Sequence, residues 1–139
     1  MNTTQKLIGK IENFQPTEDG NWIQLDQYLD ELWSKGNPSS LAYETLFRVF
    51  ERYPDQDGAG IFWSIVHGLE HLGNYENELF NSLGRQPSDM GLIMLKRLEN
   101  PGHETINGQP INQLYKKILD HPKTTDEVKS QVAGFIKSN

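Results

Sequence analysis

The chain contains no cysteine, which removes disulfides, thiolate zinc sites and cysteine nucleophiles in one step. It has no apolar run approaching the ~18 residues that a membrane span needs, and its start, MNTTQKLIGKIENF, is too polar for a secretory signal. Positive charge is scarce: 13 Lys and Arg stand against 19 Asp and Glu, a net charge of -6. Nucleic-acid affinity rests on cations that displace phosphate counterions, so DNA or RNA is not an expected partner. The spacings of phosphate loops and of the serine-hydrolase elbow are also missing. These absences point to a soluble cytoplasmic protein with no cofactor, no membrane partner and no catalytic machinery of a common kind.

What is present is helical. At 139 residues the chain suits one domain, residues 1–139, large enough to bury a real core. Apolar residues recur at helical spacing between Gly, Pro, Asn and Asp punctuation, and the pattern predicts eight helices. The first four cover about 4–14, 21–35, 38–53 and 58–72. A fifth runs from an Asn74 cap to Gly84, a sixth from a Ser88 cap to the Asn100-Pro101-Gly102 break, a seventh over 110–120. The last opens on a Thr124/Glu127 capping box. The third has the widest apolar arc and is expected at the centre, and 99–109 is expected to be a surface loop. The fold class is therefore all-α, about eight short antiparallel helices, arranged either as a compact bundle or as a HEAT-like stack of hairpins.

Two local patterns resemble metal sites. His67-Gly68-Leu69-Glu70-His71 matches the H-x-x-E-H spacing of inverted zinc peptidases, and on a helix His67 and His71 fall only ~40° apart with Glu70 at the edge of their face. A catalytic zinc needs a third protein ligand. Glu99, Glu104 and Glu127 are the downstream carboxylates that offer one, and none sits in a recognisable motif, so a small metal-dependent hydrolase is the weaker reading and a plain histidine pair the stronger. Asp55-Gln56-Asp57-Gly58 begins like a calcium loop, but Ala59 and Val66 occupy the fifth and twelfth places where oxygen ligands are required. The segment reads instead as a turn in which Asp57 or Gly58 caps the next helix. Trp22 and Trp33 belong to a core stripe, whereas Trp63 lies outside the main arc of its helix and suits packing or binding.

The segment from Tyr53 to Tyr75 carries D-G-x-G-x-x-W-S-I-x-H-G-L-E and is followed by Q-P-S at Gln86-Pro87-Ser88 and by Leu92–Leu98. It resembles a family of small bacterial immunity proteins encoded beside polymorphic or contact-dependent growth-inhibition toxins. The resemblance covers about the middle third of the chain. It implies a noncatalytic cytoplasmic antitoxin whose partner is the C-terminal domain of a cognate delivered toxin. Trp63, Ser64, His67, Gly68, Leu69 and Glu70 match its pattern, and His71 lies just beyond. A nuclease is the toxin class that an acidic inhibitor would suit, because carboxylates can occupy the place of substrate phosphate. The expected toxin-contact residues are Asp26 and Asp30 on the second helix, Asp55 and Asp57 in the turn, and Trp63, His67, Glu70 and His71 on the fourth. A helical adaptor for another protein is the alternative.

Overall fold

Helical spacing of apolar residues becomes eight helices in the structure, a computed structural model that describes residues 3–17, 21–35, 40–99 and 101–138. They are α1 (Thr3–Glu12), α2 (Ile23–Ser34), α3 (Ser40–Arg52), α4 (Phe62–Leu72), α5 (Glu76–Arg85), α6 (Asp89–Glu99), α7 (Ile111–Asp120) and α8 (Asp126–Ser138). Between α6 and α7 a short antiparallel hairpin pairs β1 (Thr105–Ile106) with β2 (Gln109–Pro110). The fold is all-α apart from this hairpin.

The neighbours reveal the arrangement. Helix α1 packs on α2 and on α3, α3 on α5, α2 on α4, α4 on α6 and α6 on α8, with α7 against α8. Helices α1 to α4 and α6 each touch the one two places along, so α1, α3 and α5 form one row and α2, α4, α6 and α8 another. That is the order of a short stack of helical hairpins. Helix α3 lies at its centre, touching α1, α4, α5 and α6, and Leu46, Phe47, Val49 and Phe50 are fully buried.

An aromatic cluster fixes the α3–α4 connection. Trp22 is buried and meets Phe14 at 5.7 Å, Tyr53 at 4.9 Å and Phe62 at 5.2 Å between ring centroids, the last two edge-on. Tyr53 and Phe62 bracket the turn, so both its ends are anchored on one indole. Edge-to-face contacts of this kind are worth about 0.5–1.5 kcal/mol beyond area burial. Trp33 is half-buried against the core, and its ring lies where a side chain on Gly68 would be. The glycine of HGLEH lets α2 approach α4.

Several boundaries differ from the sequence expectation. Helix α4 starts at Phe62 instead of near residue 58, because Gly58, Ala59 and Gly60 have φ of 60°, 54° and 88° and cannot continue a right-handed helix. A Cβ at Gly58 would lie 2.6 Å from the Phe62 ring, a second reason for glycine there. Neither Asp57 nor Gly58 caps α4; Ile61 holds the N-cap position without a side-chain bond. Helix α5 passes through Gly84 to Arg85 and starts after Tyr75, not at an Asn74 cap. The cap of α8 is Thr125, whose hydroxyl accepts the Val128 N–H at 3.3 Å, while the Thr124 hydroxyl donates to the Ile118 carbonyl at 2.6 Å. Ser88 caps α6 as expected, accepting the Gly91 N–H at 3.0 Å. The expected 99–109 loop contains the hairpin, whose central Asn107 and Gly108 both have positive φ, as a type I′ turn requires. The Asn37-Pro38 cap lies outside the described residues.

Candidate functional site

Three segments remote in sequence meet at one cleft of about 430 Å³. The α3–α4 turn supplies Asp55 and Asp57, α4 supplies Trp63, the first turn of α6 supplies Asp89, and α8 supplies Glu127 and Gln131. The α6 end is tied to the turn by the Asp89 N–H, which donates to the Pro54 carbonyl at 2.7 Å. The α8 end is tied twice: the Thr125 hydroxyl donates to Asp55 Oδ1, and Gln131 Nε2 donates to Asp89 Oδ1 at 2.6 Å.

Carboxylate oxygens of Asp55, Asp89 and Glu127 lie within 4.8 Å of one another. Asp55 and Glu127 are exposed, whereas Asp89 is only 7% exposed. Burial pushes the Asp89 carboxyl up to about 6; Glu127 and then Asp55 push the same way, against the Gln131 hydrogen bond. No Lys, Arg or His is among the residues that line the cleft. Three carboxylates would hold a divalent cation only with water or further ligands completing its shell, and no side-chain cation lines the cleft, so its unusual property is uncompensated negative charge.

Trp63 borders the cleft and continues it onto the outer face of α4. The half-buried indole meets the His67 ring at 5.8 Å between centroids, and the Arg97 guanidinium lies 5.9 Å from its ring centre. Arg97 is held by a two-bond fork to Glu70, both bonds 2.8 Å. Trp63 thus combines packing with partial exposure, and Glu70 braces α4 against α6.

Of the eight expected contact residues, Asp55, Asp57 and Trp63 line the cleft, and His67 and Glu70 adjoin it through Trp63 and Arg97. His71 is exposed on the same helix, and Asp26 and Asp30 lie on α2 away from the cleft lining. Among the described residues no third donor gathers with His67 and His71. Glu127 belongs to the acidic trio, and Glu99 accepts from Lys96 at 3.0 Å and from the Tyr115 hydroxyl at 3.2 Å. Glu104 lies with Glu99 beside the hairpin.

Asp89 and Gln131 were missed by sequence reasoning. An Asp following a Ser cap reads as an ordinary helix-start residue, and only the tertiary arrangement shows that α8 closes over it. Glu127 is expected both as the capping-box partner of Thr124 and as a downstream carboxylate for a zinc site; with Thr125 in the cap position, its side chain lies in the cleft instead.

Comparison with family models, with curated proteins and with solved structures gives no match to this chain.

Proposed function

We propose that the chain is a noncatalytic immunity protein that binds the C-terminal domain of a cognate polymorphic or contact-dependent growth-inhibition toxin in the cytoplasm. The observation that carries this reading is the open acidic cleft bordered by a half-buried tryptophan and lined by no cation. Concentrated carboxylates steer a basic partner and reject an acidic one. A partly exposed Trp beside an Arg provides the kind of anchor on which binding energy concentrates.

The resemblance supports the same reading, with a division of labour. Gly58 and Gly68 permit close approaches to Phe62 and Trp33, and Ser88 caps α6. Those shared positions maintain the scaffold. The acids around them, Asp55, Asp57, Asp89 and Glu127, are then the contacts that fit a particular toxin. The partner chemistry is a basic protein surface, as in the phosphate-binding cleft of a nuclease.

The test is co-expression with the product of the neighbouring toxin gene. Protection of the cell and co-purification in a stoichiometric complex are expected. A toxin that kills unhindered and does not co-purify removes the reading, and selective capture of an unrelated protein by the cleft would favour the adaptor alternative.

A further inference from the structure

We propose that Asp55, Asp89 and Glu127 form a proton-dependent clasp that fastens α8 to the α3–α4 turn and to the start of α6, tighter when Asp89 is protonated and looser when it is ionised beside the other two acids. The inference goes beyond the toxin reading and rests only on the fold.

The geometry concentrates three like charges at a junction of three elements. The charged groups facing Asp89 are Asp55 and Asp57 from the turn and Glu127 from α8; α4 contributes the indole of Trp63, and α6 contributes Met90 and Ile93. The cation that touches the cleft border, Arg97, is engaged by Glu70. Partial positive charge at the helix starts of α6 and α8 favours carboxylates there, which helps the acids converge. It does not neutralise them. Carboxylates held this close cannot all ionise without mutual cost, and a proton on Asp89 removes its share of that repulsion.

Burial and like charge hold Asp89 at about 6, above the ordinary 3.8. Between those values the folded chain binds more protons than the unfolded chain, so the contribution of Asp89 to stability is fully present below about 4 and is lost as pH rises through about 6. Above that window the repulsion acts on α8, which stays docked through buried Val128 and Val132 and its two side-chain ties. The readout is therefore local, at the α8 contact.

The experiment combines a carbon-13 carboxyl NMR titration of Asp89 with hydrogen exchange of the α8 amides, corrected for intrinsic rates, on the full chain in EDTA. Asp89 is expected to titrate near pH 6, and α8 protection to fall roughly tenfold between pH 5 and 7, the equivalent of one pKa unit. Glu127→Gln should move the Asp89 midpoint down and shrink that fall, and Asp89→Asn should abolish it. Glu127 is exposed, so its variant keeps the test decisive if Asp89→Asn fails to fold. An Asp89 midpoint near the ordinary carboxylate value, or an undiminished fall in Glu127→Gln, overturns the clasp.

Discussion

Two largely shielded carboxylates occupy helix junctions in this stack and meet opposite surroundings. Glu51 of α3 has a side chain 9% exposed and accepts from Arg85 at 3.0 and 2.8 Å and from the Ser82 hydroxyl at 2.8 Å, which joins α3 to α5. Asp89 of α6 is also shielded from water but accepts one amide hydrogen bond and faces two further acids. In the first case the Coulomb attraction of a fork-shaped guanidinium offsets desolvation; in the second, like charge adds to it. Burial alone does not distinguish a brace from a titrating site. The sign of the nearest charge does.

The largest expected effect lies on the compensated side. Glu51→Ala leaves the Arg85 guanidinium and the buried Ser82 hydroxyl without their acceptor, and removing one partner of a buried pair costs about 3 kcal/mol. Urea unfolding at neutral pH should show a lower midpoint at unchanged slope. Asp89→Asn, by contrast, removes repulsion while keeping an oxygen for Gln131, and its stability at pH 7 should equal or exceed that of the parent. Equal losses in the two variants would erase the distinction between the junctions.

That distinction was only half legible beforehand. Helix number, the Ser88 cap and the central place of α3 follow from local spacing, since apolar periodicity and capping chemistry act over a few residues. The start of α4 was misplaced because three consecutive left-handed residues, including Ala59, are fixed by the packing of Tyr53 and Phe62 on Trp22. Asp55, Asp57 and Trp63 were recognisable as an acidic turn followed by an off-stripe aromatic. Asp89 and Gln131 were not, because their significance arises when α8 folds back over α6. The histidines of HGLEH stand out by spacing, but in the fold His67 stacks near Trp63, Gly68 admits the Trp33 ring and Glu70 holds Arg97.

A cation introduced at the acidic junction should make it behave like the first. Gln131 Nε2 already lies 2.6 Å from Asp89 Oδ1, so Gln131→Lys places an ammonium within reach. The Asp89 pKa should then fall, and stability at pH 7 should rise by roughly 1–2 kcal/mol, the scale of a charge-assisted hydrogen bond. The pH slope assigned to Asp89 should flatten or reverse: once its folded value lies below the unfolded one, stability grows as pH rises. Thermal melts at pH 5 and pH 7 check this, and an unchanged difference between them would mean that the lysine does not reach the trio.

On the proposed toxin, the cleft and the α2 face provide a second contrast. Reversing Asp55 and Asp57 to Lys should slow association by about tenfold at low salt, with the effect shrinking as salt screens it. The same reversal at Asp26 and Asp30, away from the cleft lining, should change the rate less. Stopped-flow mixing with the toxin domain separates the pairs, and a larger effect at Asp26 and Asp30 would move the interface to α2.

The smallest stability effect is expected at Glu70, where the Arg97 fork has the same shape as the Arg85 fork but lies nearer to water. The side chains of Glu70 and Arg97 are 24% and 43% exposed, against 9% and 28% for Glu51 and Arg85. Water therefore replaces much of what Glu70→Gln removes, and the loss should stay within about 1 kcal/mol, as for exposed ion pairs generally. Arg97 should also lose its hold beside Trp63, visible as altered indole fluorescence with little change in the denaturation midpoint. A loss comparable to that of Glu51→Ala would make the glutamate of HGLEH a structural brace of the same rank. A small loss joined to weaker toxin binding would place its contribution in the orientation of Trp63.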